Sequence, residues 1–208
     1  MMRNLVLDIG HSEHIKADNP TETAVAKVFC HKILDSIINK IKSQELKDLT
    51  CVIVPERIVD NSNSSNALNL KMRWMNENIL KYGNPDVTFS VHCNWSNNST
   101  TASGWNIFYK NIETALDKPR AEASKAMADS IGNALTAAGF VPFGQAVCPD
   151  TMTAVHSLGV CTYIKAASCL IELGFLSSPT DRANLLDDAY ITKMADACLT
   201  GIRSYLNV

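Results

Sequence analysis

The sequence lacks the long apolar run that a membrane-spanning helix needs. No stretch of its 208 residues approaches the roughly 20 consecutive apolar residues that span a bilayer. A strong charge of either sign is missing too, because 19 Lys and Arg residues stand against 21 Asp and Glu residues, for a formal net charge of −2. We therefore expect neither a membrane span nor the basic surface typical of nucleic-acid binding.

The first residues are not expected to form a signal peptide. A cleavable signal needs a long apolar stretch followed by small residues, and Asp8 interrupts the apolar segment that begins at Leu5. We therefore expect synthesis in the cytoplasm and action after release of the protein or after leaderless export.

Paired cysteine motifs are absent as well. The seven cysteines are odd in number and widely spaced and contain no Cys-x-x-Cys pair, so neither a zinc-thiolate site nor a disulfide framework is expected. Most of them lie in apolar segments, where a reduced thiol behaves as a small hydrophobic side chain. This pattern is typical of a reducing compartment.

What the chain does contain is an alternation of strand and helix patterns, in a length suited to one domain over residues 1–208. Strands are predicted at residues 3–9, 51–55, 86–93, 104–109 and 168–174, and helices at about residues 21–43, 67–82, 119–138 and 179–206. Residues 141–156 contain two prolines and a glycine and are predicted to be partly irregular. The fold class is therefore α/β: a single domain with a twisted, mostly parallel (mixed) sheet and helices on both faces.

Four polar residues lie at or near the ends of these elements. His11 follows the first strand, Glu22 lies in the first turn of the first helix, His92 ends the central strand, and Glu172 lies in the last strand. Parallel strands bring such ends together at one edge of a sheet. Two histidines and a carboxylate with an open fourth position form a catalytic zinc arrangement. A further carboxylate, here Glu172, is the general base and acid that such hydrolysis needs.

The chemistry of this interpretation is specific. Zinc lowers the pKa of bound water from about 15.7 to about 7. Glu172 would accept the proton of that water and pass it to the leaving amine. Its neighbours Ile171 and Leu173 are expected to limit water access and so to raise the pKa of the Glu172 carboxyl.

The residues alone leave alternatives open. A single histidine at a strand end, such as His92, is more often a packing residue than a ligand. His14 and His31 are competing ligands, and two histidines with one carboxylate also suit a non-haem iron enzyme, although such enzymes usually have an all-β scaffold. A non-catalytic binding protein with the same fold is a further alternative.

A series of motifs runs through the chain in order. They are Leu7-Asp-Ile-Gly-His11, Glu22, Leu68-Asn-Leu-Lys-Met-Arg73 with Asn78, Ser90-Val-His-Cys-Asn94, Gly104 with the strand after it, Ile171-Glu-Leu-Gly-Phe175 and Asp181-x-x-x-Leu185. Together they resemble the motifs of zinc-dependent N-acetylmuramoyl-L-alanine amidases of the Amidase_3 type. The resemblance extends from about residue 4 to residue 206.

This resemblance implies hydrolysis of the amide between the lactyl group of N-acetylmuramic acid and the L-alanine of the peptidoglycan stem peptide. It implies one Zn²⁺ ion held by His11, Glu22 and His92, with Glu172 as the catalytic carboxylate. The expected partner is peptidoglycan, both glycan strand and stem peptide. A phage endolysin, held in the host cytoplasm until lysis, is the expected type.

Other residues are candidates for substrate contact or for orienting a ligand. Asp8 is a candidate for orienting a ligand histidine, with strand packing as the alternative. Asn94 closes the central motif, and His156 lies where it could line the groove, with an exposed loop position as the alternative. Trp95 and Trp105 flank a polar loop and are suited either to stacking on a sugar or to packing.

Two departures from the family pattern and one short connection add further expectations. The family's His-Gly-Gly is replaced by His11-Ser-Glu, and Cys93 follows His92, where strand alternation directs its side chain to the other face. Between Tyr109 and Pro119 there is no room for the inserted helix that covers the site in some regulated relatives. We therefore expect an open groove and no obligatory activator.

Overall fold

Strands and helices alternate along the chain in the computed structural model, which describes residues 3–10, 20–43, 49–55, 64–81 and 87–208, with the backbone alone at 20–25, 41–42, 64–67 and 79–81. The strands are β1 (Arg3–Ile9), β2 (Leu49–Ile53), β3 (Val87–Asn94), β4 (Trp105–Tyr109), β5 (Pro142–Pro149) and β6 (Ala167–Phe175). The helices are α1 (Pro20–Ser43), α2 (Ser64–Lys81), α3 (Lys118–Ala137), α4 (Gly159–Tyr163), α5 (Pro179–Leu186) and α6 (Asp188–Leu206).

The strands form one sheet in the order β2-β1-β3-β6-β4-β5. All neighbouring pairs are parallel except β4 and β6, which are antiparallel. The last strand along the chain, β6, thus lies between β3 and β4. The predicted α/β fold with a mixed, mostly parallel sheet is confirmed.

Several helix ends have clear local causes. Asp117, Ser178 and Asp187 stand before α3, α5 and α6, and the side chain of each accepts a hydrogen bond from a backbone N–H of the first turn. Such caps satisfy donors that have no partner within the helix. Asn207 ends α6 in the left-handed conformation, with φ of 56°.

One face of the sheet, called here the apolar face, packs against α1, α3 and α6. Its strand residues alternate in sequence and are almost fully buried: Leu5, Leu7, Ile9, Phe89, Val91, Cys93, Cys169, Ile171 and Leu173. Burying a side chain of the Leu, Ile or Phe class stabilises a fold by roughly 1.5–3 kcal/mol. This face therefore supplies the larger part of the hydrophobic core.

The opposite face, called here the polar face, is covered in part by α2 and α4. Val6, Phe108 and Leu170 pack there against side chains of both helices. Between these apolar positions lie buried polar residues: Asp8, Thr88, Ser90, Asn106 and Ser168. His92 and Glu172 continue the same alternation and lie on this face as well.

Residues 141–156, predicted to be partly irregular, contain the strand β5 and a short 3-10 turn at Asp150–Met152. β5 is an edge strand, where proline is tolerated because one side of the backbone needs no partner. Its pairing with β4 shifts in register between Trp105 and Ile107, and Gly144 has φ of 55° within the shifted stretch. The helical segment 179–206 is divided into α5 and α6 at Asp187.

None of the helices in the described part of the chain is both long and apolar enough to cross a membrane. None of the seven cysteines, all of which lie in the described ranges, forms a disulfide, and six of them are buried. Cys93 lies on the apolar face, with its Sγ 4.0 Å from the Sγ of Cys30 in α1. This confirms the expectation that Cys93 points away from the face of His92.

Candidate active site

Gly10, His92, Glu172 and Asn106 form a row at one end of the polar face, called here the His92–Glu172 row. The backbone N–H of Gly10, just after β1, donates to the carbonyl of Val91 at 2.8 Å. His92 of β3 is in register with Glu172 of β6, and Glu172 is in register with Asn106 of β4. The ends of β1, β3 and β6 therefore meet the start of β4 here, as expected for a site on an α/β sheet.

Glu172 has the features of a general acid and base. Burial raises the pKa of its carboxyl to about 8. The residue as a whole keeps some exposure, but its Oε2 atom is buried and has no hydrogen-bond partner among the described residues. A buried carboxylate oxygen without a partner is costly, so it indicates a functional position.

The burial of Glu172 has a different origin from the one expected from the sequence. Ile171 and Leu173 lie on the apolar face, because neighbours along a strand point to opposite sides. The residues beside the carboxyl are instead His92 and Asn106, from the strands on either side. The expected cause, shielding by the chain neighbours, was therefore wrong, whereas the expected direction of the pKa shift agrees with the structure.

The imidazole of His92 lies directly against the backbone of Gly10. A Cβ atom built on Gly10 would be 2.4 Å from both Cγ and Cδ2 of His92, which is far closer than real contacts allow. Only glycine leaves room for the ring at this position. His92 is thus packed against the residue that immediately precedes His11 in the chain.

The other two predicted ligands cannot be placed. His11 lies outside the described residues, and Glu22 lies in the first turn of α1, where the structure describes the backbone alone. Among the side chains that are described, no group of three His, Cys, Asp or Glu residues is arranged to hold a metal ion. The predicted ligand set of His11, Glu22 and His92 therefore stays a prediction.

Asp8 anchors the end of β1. Its Oδ2 accepts a hydrogen bond of 2.6 Å from Ser90 Oγ, and its Oδ1 lies 2.5 Å from Lys71 Nζ of α2, an ion pair without hydrogen-bond alignment. The same Nζ donates to the carbonyl of Ile9 at 2.8 Å. These contacts hold the strand end that leads to Gly10 and His11. Orientation of a ligand histidine by Asp8 stays a prediction.

The loop after β3 begins with Asn94 and Trp95. Asn94 Oδ1 accepts from the backbone N–H of Trp95, and its carbonyl accepts from Leu176 N–H, both at 2.8 Å. Trp95 is partly exposed, and its Nε1 donates to Asn97 Oδ1 at 2.9 Å. Trp105, by contrast, is only 1% exposed and packs on the apolar face. Of these two tryptophans, Trp95 alone is accessible to a ligand.

Asp181 joins the segments on either side of the row. Its buried carboxylate accepts from the backbone N–H of Phe175 at 2.7 Å, from Gly104 N–H at 3.0 Å and from Ser103 Oγ. The chain that follows Glu172 is thereby fixed to the loop that precedes β4. The sequence signal for this role was the Asp181-x-x-x-Leu185 motif.

Beyond Glu172, the start of β5 forms a wall beside the row. The Nδ2 of Asn106 donates to the carbonyls of Phe143 and Gln145, at 2.7 and 2.9 Å. The ring of Phe143 packs edge-on against Phe175, with 4.7 Å between the ring centroids. Nothing in the sequence pattern distinguished Asn106, because it lies inside an apolar strand segment.

His156 is not brought to this site. It is exposed, has φ of 55°, and its Nδ1 lies 3.0 Å from the carbonyl of Thr151, whose Oγ1 accepts from Asn111. Asn111 follows the far end of β4, where Tyr109 pairs with the first half of β6. His156 therefore lies toward the opposite end of the sheet from Glu172, on an exposed loop, as the alternative interpretation had it.

The short connection between β4 and α3 lies at that same far end of β4. Its length therefore has no bearing on access to Glu172, and the reason given for an open groove does not hold. The expectation that no activator is needed stays a prediction.

Comparison with known proteins gives a consistent result. A family model described as N-acetylmuramoyl-L-alanine amidase matches residues 5–204 of the chain. No curated protein sequence matches it significantly.

Solved structures with this fold cover nearly the whole chain. The N-acetylmuramoyl-L-alanine amidase from Clostridium difficile 630 is 22% identical, with a TM-score of 0.73 over 99% of this chain and 97% of that one. The catalytic domain of CwlV from Bacillus (Paenibacillus) polymyxa var. colistinus is also 22% identical, with a TM-score of 0.74 over 100% and 99%. The apo form of Ami1 from Mycobacterium abscessus is 18% identical, with a TM-score of 0.75 over 98% of each chain.

Proposed function

Because the chain belongs to the Amidase_3 family of N-acetylmuramoyl-L-alanine amidases, we propose that it hydrolyses the amide between the lactyl group of N-acetylmuramic acid and the L-alanine of a peptidoglycan stem peptide. The observation that carries this proposal is the position of Glu172. Its carboxyl has a pKa raised to about 8 and stands in register with His92 at the sheet end where the family's motifs meet.

The cofactor we propose is one zinc ion held by His11, Glu22 and His92. Imidazole and carboxylate groups are ordinary zinc ligands, and this set leaves a coordination position open. Two features of the described residues fit it: the His92 ring packs against Gly10, next to His11 in the chain, and the neighbouring Oε2 of Glu172 is buried without a partner. When bound, zinc supplies a Lewis acid for the scissile carbonyl and lowers the pKa of water.

The chain's own residues supply proton transfer and position. Glu172, as a carboxylate, accepts a proton from the attacking water, whose oxygen bonds to the carbonyl carbon. When the C–N bond breaks, Glu172 gives that proton to the nitrogen, which leaves as the free amine of L-alanine. A carboxyl whose pKa lies near the working pH suits both transfers. Asp8 and Lys71 hold the strand end that leads to His11.

Digestion of purified peptidoglycan, followed by mass spectrometry of the products, tests the proposal. We expect stem peptides with a free L-alanine amino group, loss of their release with a chelator, and recovery when Zn²⁺ is added. Glu172→Gln should abolish release, whereas Glu122→Gln, a control at an exposed glutamate of α3, should not. Cleavage at another bond, or release that survives both the chelator and Glu172→Gln, would contradict it.

The same experiment separates the alternatives. A non-catalytic wall-binding protein would release no peptide at all. A non-haem iron oxygenase would also release no stem peptide, and metal analysis of the purified protein would find iron in place of zinc. The α/β sheet is not the all-β scaffold usual for that class. Cytoplasmic synthesis with later action at the wall, of the endolysin type, stays a prediction that fractionation of expressing cells checks.

A further inference from the structure

Asn106 is the neighbour of Glu172 on the side opposite His92. The two residues are paired in register on antiparallel strands, which places their Cα atoms about 4.5–5.5 Å apart with both side chains on the polar face. Asn106 is only 4% exposed. Asn106 is therefore the residue of β4 that stands directly opposite the catalytic carboxylate of Glu172.

The orientation of the Asn106 amide is fixed by its contacts with β5. Both hydrogens on Nδ2 are used, because the carbonyl oxygens of Phe143 and Gln145 lie 2.7 and 2.9 Å away. The reverse orientation would place Oδ1 against two other oxygens. The acceptor Oδ1 therefore faces away from β5, and no described residue donates a hydrogen bond to it.

We propose that Oδ1 of Asn106 accepts a hydrogen bond from the N–H of the scissile amide and so orients the leaving nitrogen toward Glu172. The inference rests on the proposed function, since it assigns a residue to the same reaction. The ligand class that it predicts for this position is a secondary amide, which brings one N–H donor to one acceptor.

The chemistry of the leaving nitrogen explains why an acceptor is useful here. After water has added to the carbonyl carbon, the nitrogen keeps its hydrogen, and its lone pair is no longer delocalised into the carbonyl and becomes basic. The proton from Glu172 must be delivered to that lone pair before the C–N bond breaks, and the electron pair of that bond then stays on nitrogen. A hydrogen bond from the existing N–H to Asn106 fixes the rotation of the nitrogen and leaves the lone pair for Glu172.

The choice of asparagine over aspartate fits the same role. A carboxylate at position 106 could not donate to the carbonyls of Phe143 and Gln145, and it would place a second negative charge beside Glu172. Two adjacent carboxylates raise the pKa of one of them strongly. The asparagine amide donates to these two carbonyls of β5, offers an acceptor to the substrate and adds no charge.

A comparison of two substrates on each protein variant tests this inference. One substrate is a muramyl peptide with the natural lactyl–L-alanine amide, and the other is its ester analogue, in which L-lactate replaces L-alanine and the N–H is missing. For Asn106→Ala and for Asn106→Leu, which keeps the volume, we expect kcat/KM on the amide to fall about 10- to 100-fold. On the ester the fall should be less than about threefold.

The ratio of the two rates keeps the test valid even if a variant folds poorly, because both substrates report on the same folded fraction. Asn111→Ala is the matched control: it removes another asparagine Nδ2 bond, to Thr151 Oγ1 at 3.0 Å, near the far end of β4, and should leave the ratio unchanged. Equal losses on both substrates, or no loss on the amide, would overturn the inference. Failure of the wild-type protein to cleave either substrate would instead contradict the proposed function.

Discussion

The two faces of the sheet use the same strands for different purposes. In β3, Phe89, Val91 and Cys93 face the core, while Ser90 and His92 face the opposite side. The apolar face packs against three long helices, whereas the polar face packs against α2 and the five-residue helix α4. Residues that stabilise the core and residues of the candidate site thus occupy alternate positions along the same strand.

This separation has an energetic consequence. Apolar side chains gain free energy when they are buried, whereas a polar group buried without a partner costs roughly 1–3 kcal/mol. Glu172 Oε2 is such a group among the described residues. The free energy gained by burial on the apolar face therefore offsets the cost of the unpartnered Glu172 oxygen on the polar face. Such compensation is common at functional sites.

The largest effect is expected from a substitution that changes the polar face alone. Glu172→Gln should lower kcat/KM for release of stem peptide by roughly 10²- to 10⁴-fold, the usual contribution of a general acid and base. Thermal unfolding should be unchanged or shifted upward, because a neutral amide replaces a carboxyl that is poorly solvated. Product release by mass spectrometry and calorimetry measure the two quantities. A loss of activity below tenfold would be inconsistent with the assigned role.

The next largest effect is expected from a substitution that changes the apolar face alone. Phe89→Ala removes a fully buried ring and should lower the free energy of unfolding by about 3–5 kcal/mol. The protein that remains folded should keep its activity within a few-fold, since Phe89 points away from the His92–Glu172 row. Urea unfolding and activity per folded molecule are the measurements. A destabilisation under about 1 kcal/mol would show that the apolar face is less important than its burial indicates.

A third prediction tests the contact between Gly10, just after β1, and His92 in the His92–Glu172 row. Gly10→Ala introduces a Cβ into the space of the His92 ring, so the imidazole must move. We expect zinc affinity to fall roughly 10- to 100-fold, as when the orientation of a ligand is disturbed. Competition with a chelator measures it. Gly159→Ala is the control, because its nearest neighbour is the flexible side chain of Leu68 at 3.3 Å. Equal affinities for Gly10→Ala and wild type would contradict the placement of His92.

The smallest effect concerns pH in the metal-free protein. The folded-state pKa of Glu172, about 8, lies above the ordinary value of 4.5, so the folded state keeps a proton that the unfolded state loses. The resulting stability is fully present below pH 4.5 and is lost as pH rises toward 8. We expect a fall on the order of 1–2 kcal/mol between pH 5 and 8, less than the full 1.4 kcal/mol per pKa unit because Glu172 keeps some exposure.

Urea unfolding of the chelator-treated protein at several pH values measures this fall. Glu172→Gln has no group that titrates at this position and should show a flatter profile. Parallel profiles for the two proteins would mean that the carboxyl is hydrated when the metal is absent.

Much of the fold could be predicted from the sequence, because the strong strand and helix patterns agree with the tertiary structure. The residues of β1 were predicted without error, and those of β3 and β6 to within one residue at either end. β5 was missed, since its prolines and Gly144 are signals for loops and are tolerated only because the strand is at the edge. The five-residue helix α4 has no periodicity to detect.

The site was predictable to the extent that its residues stand at strand ends. His92 and Glu172 were proposed from the sequence, and the structure places them in register, while their roles stay predictions. Asn106 could not be found, because its role depends on which residue of β6 it faces and on two carbonyls of β5. His156 could not be placed without knowing that β4 is antiparallel to β6, which puts the loop after Thr151 toward the far end of the sheet.

The position of β6 in the sheet also has a consequence for folding during synthesis of the chain on the ribosome. Until residues 167–175 have been synthesised, β2-β1-β3 and β4-β5 are separate pieces of sheet, because β6 is the strand that pairs with both. Such distant pairings form late and slowly in folding. A chain that lacks residues 167–175 therefore has neither a continuous sheet of these six strands nor Glu172, the carboxylate proposed for catalysis. The proposed hydrolytic activity therefore requires synthesis of the chain through residue 175 at least.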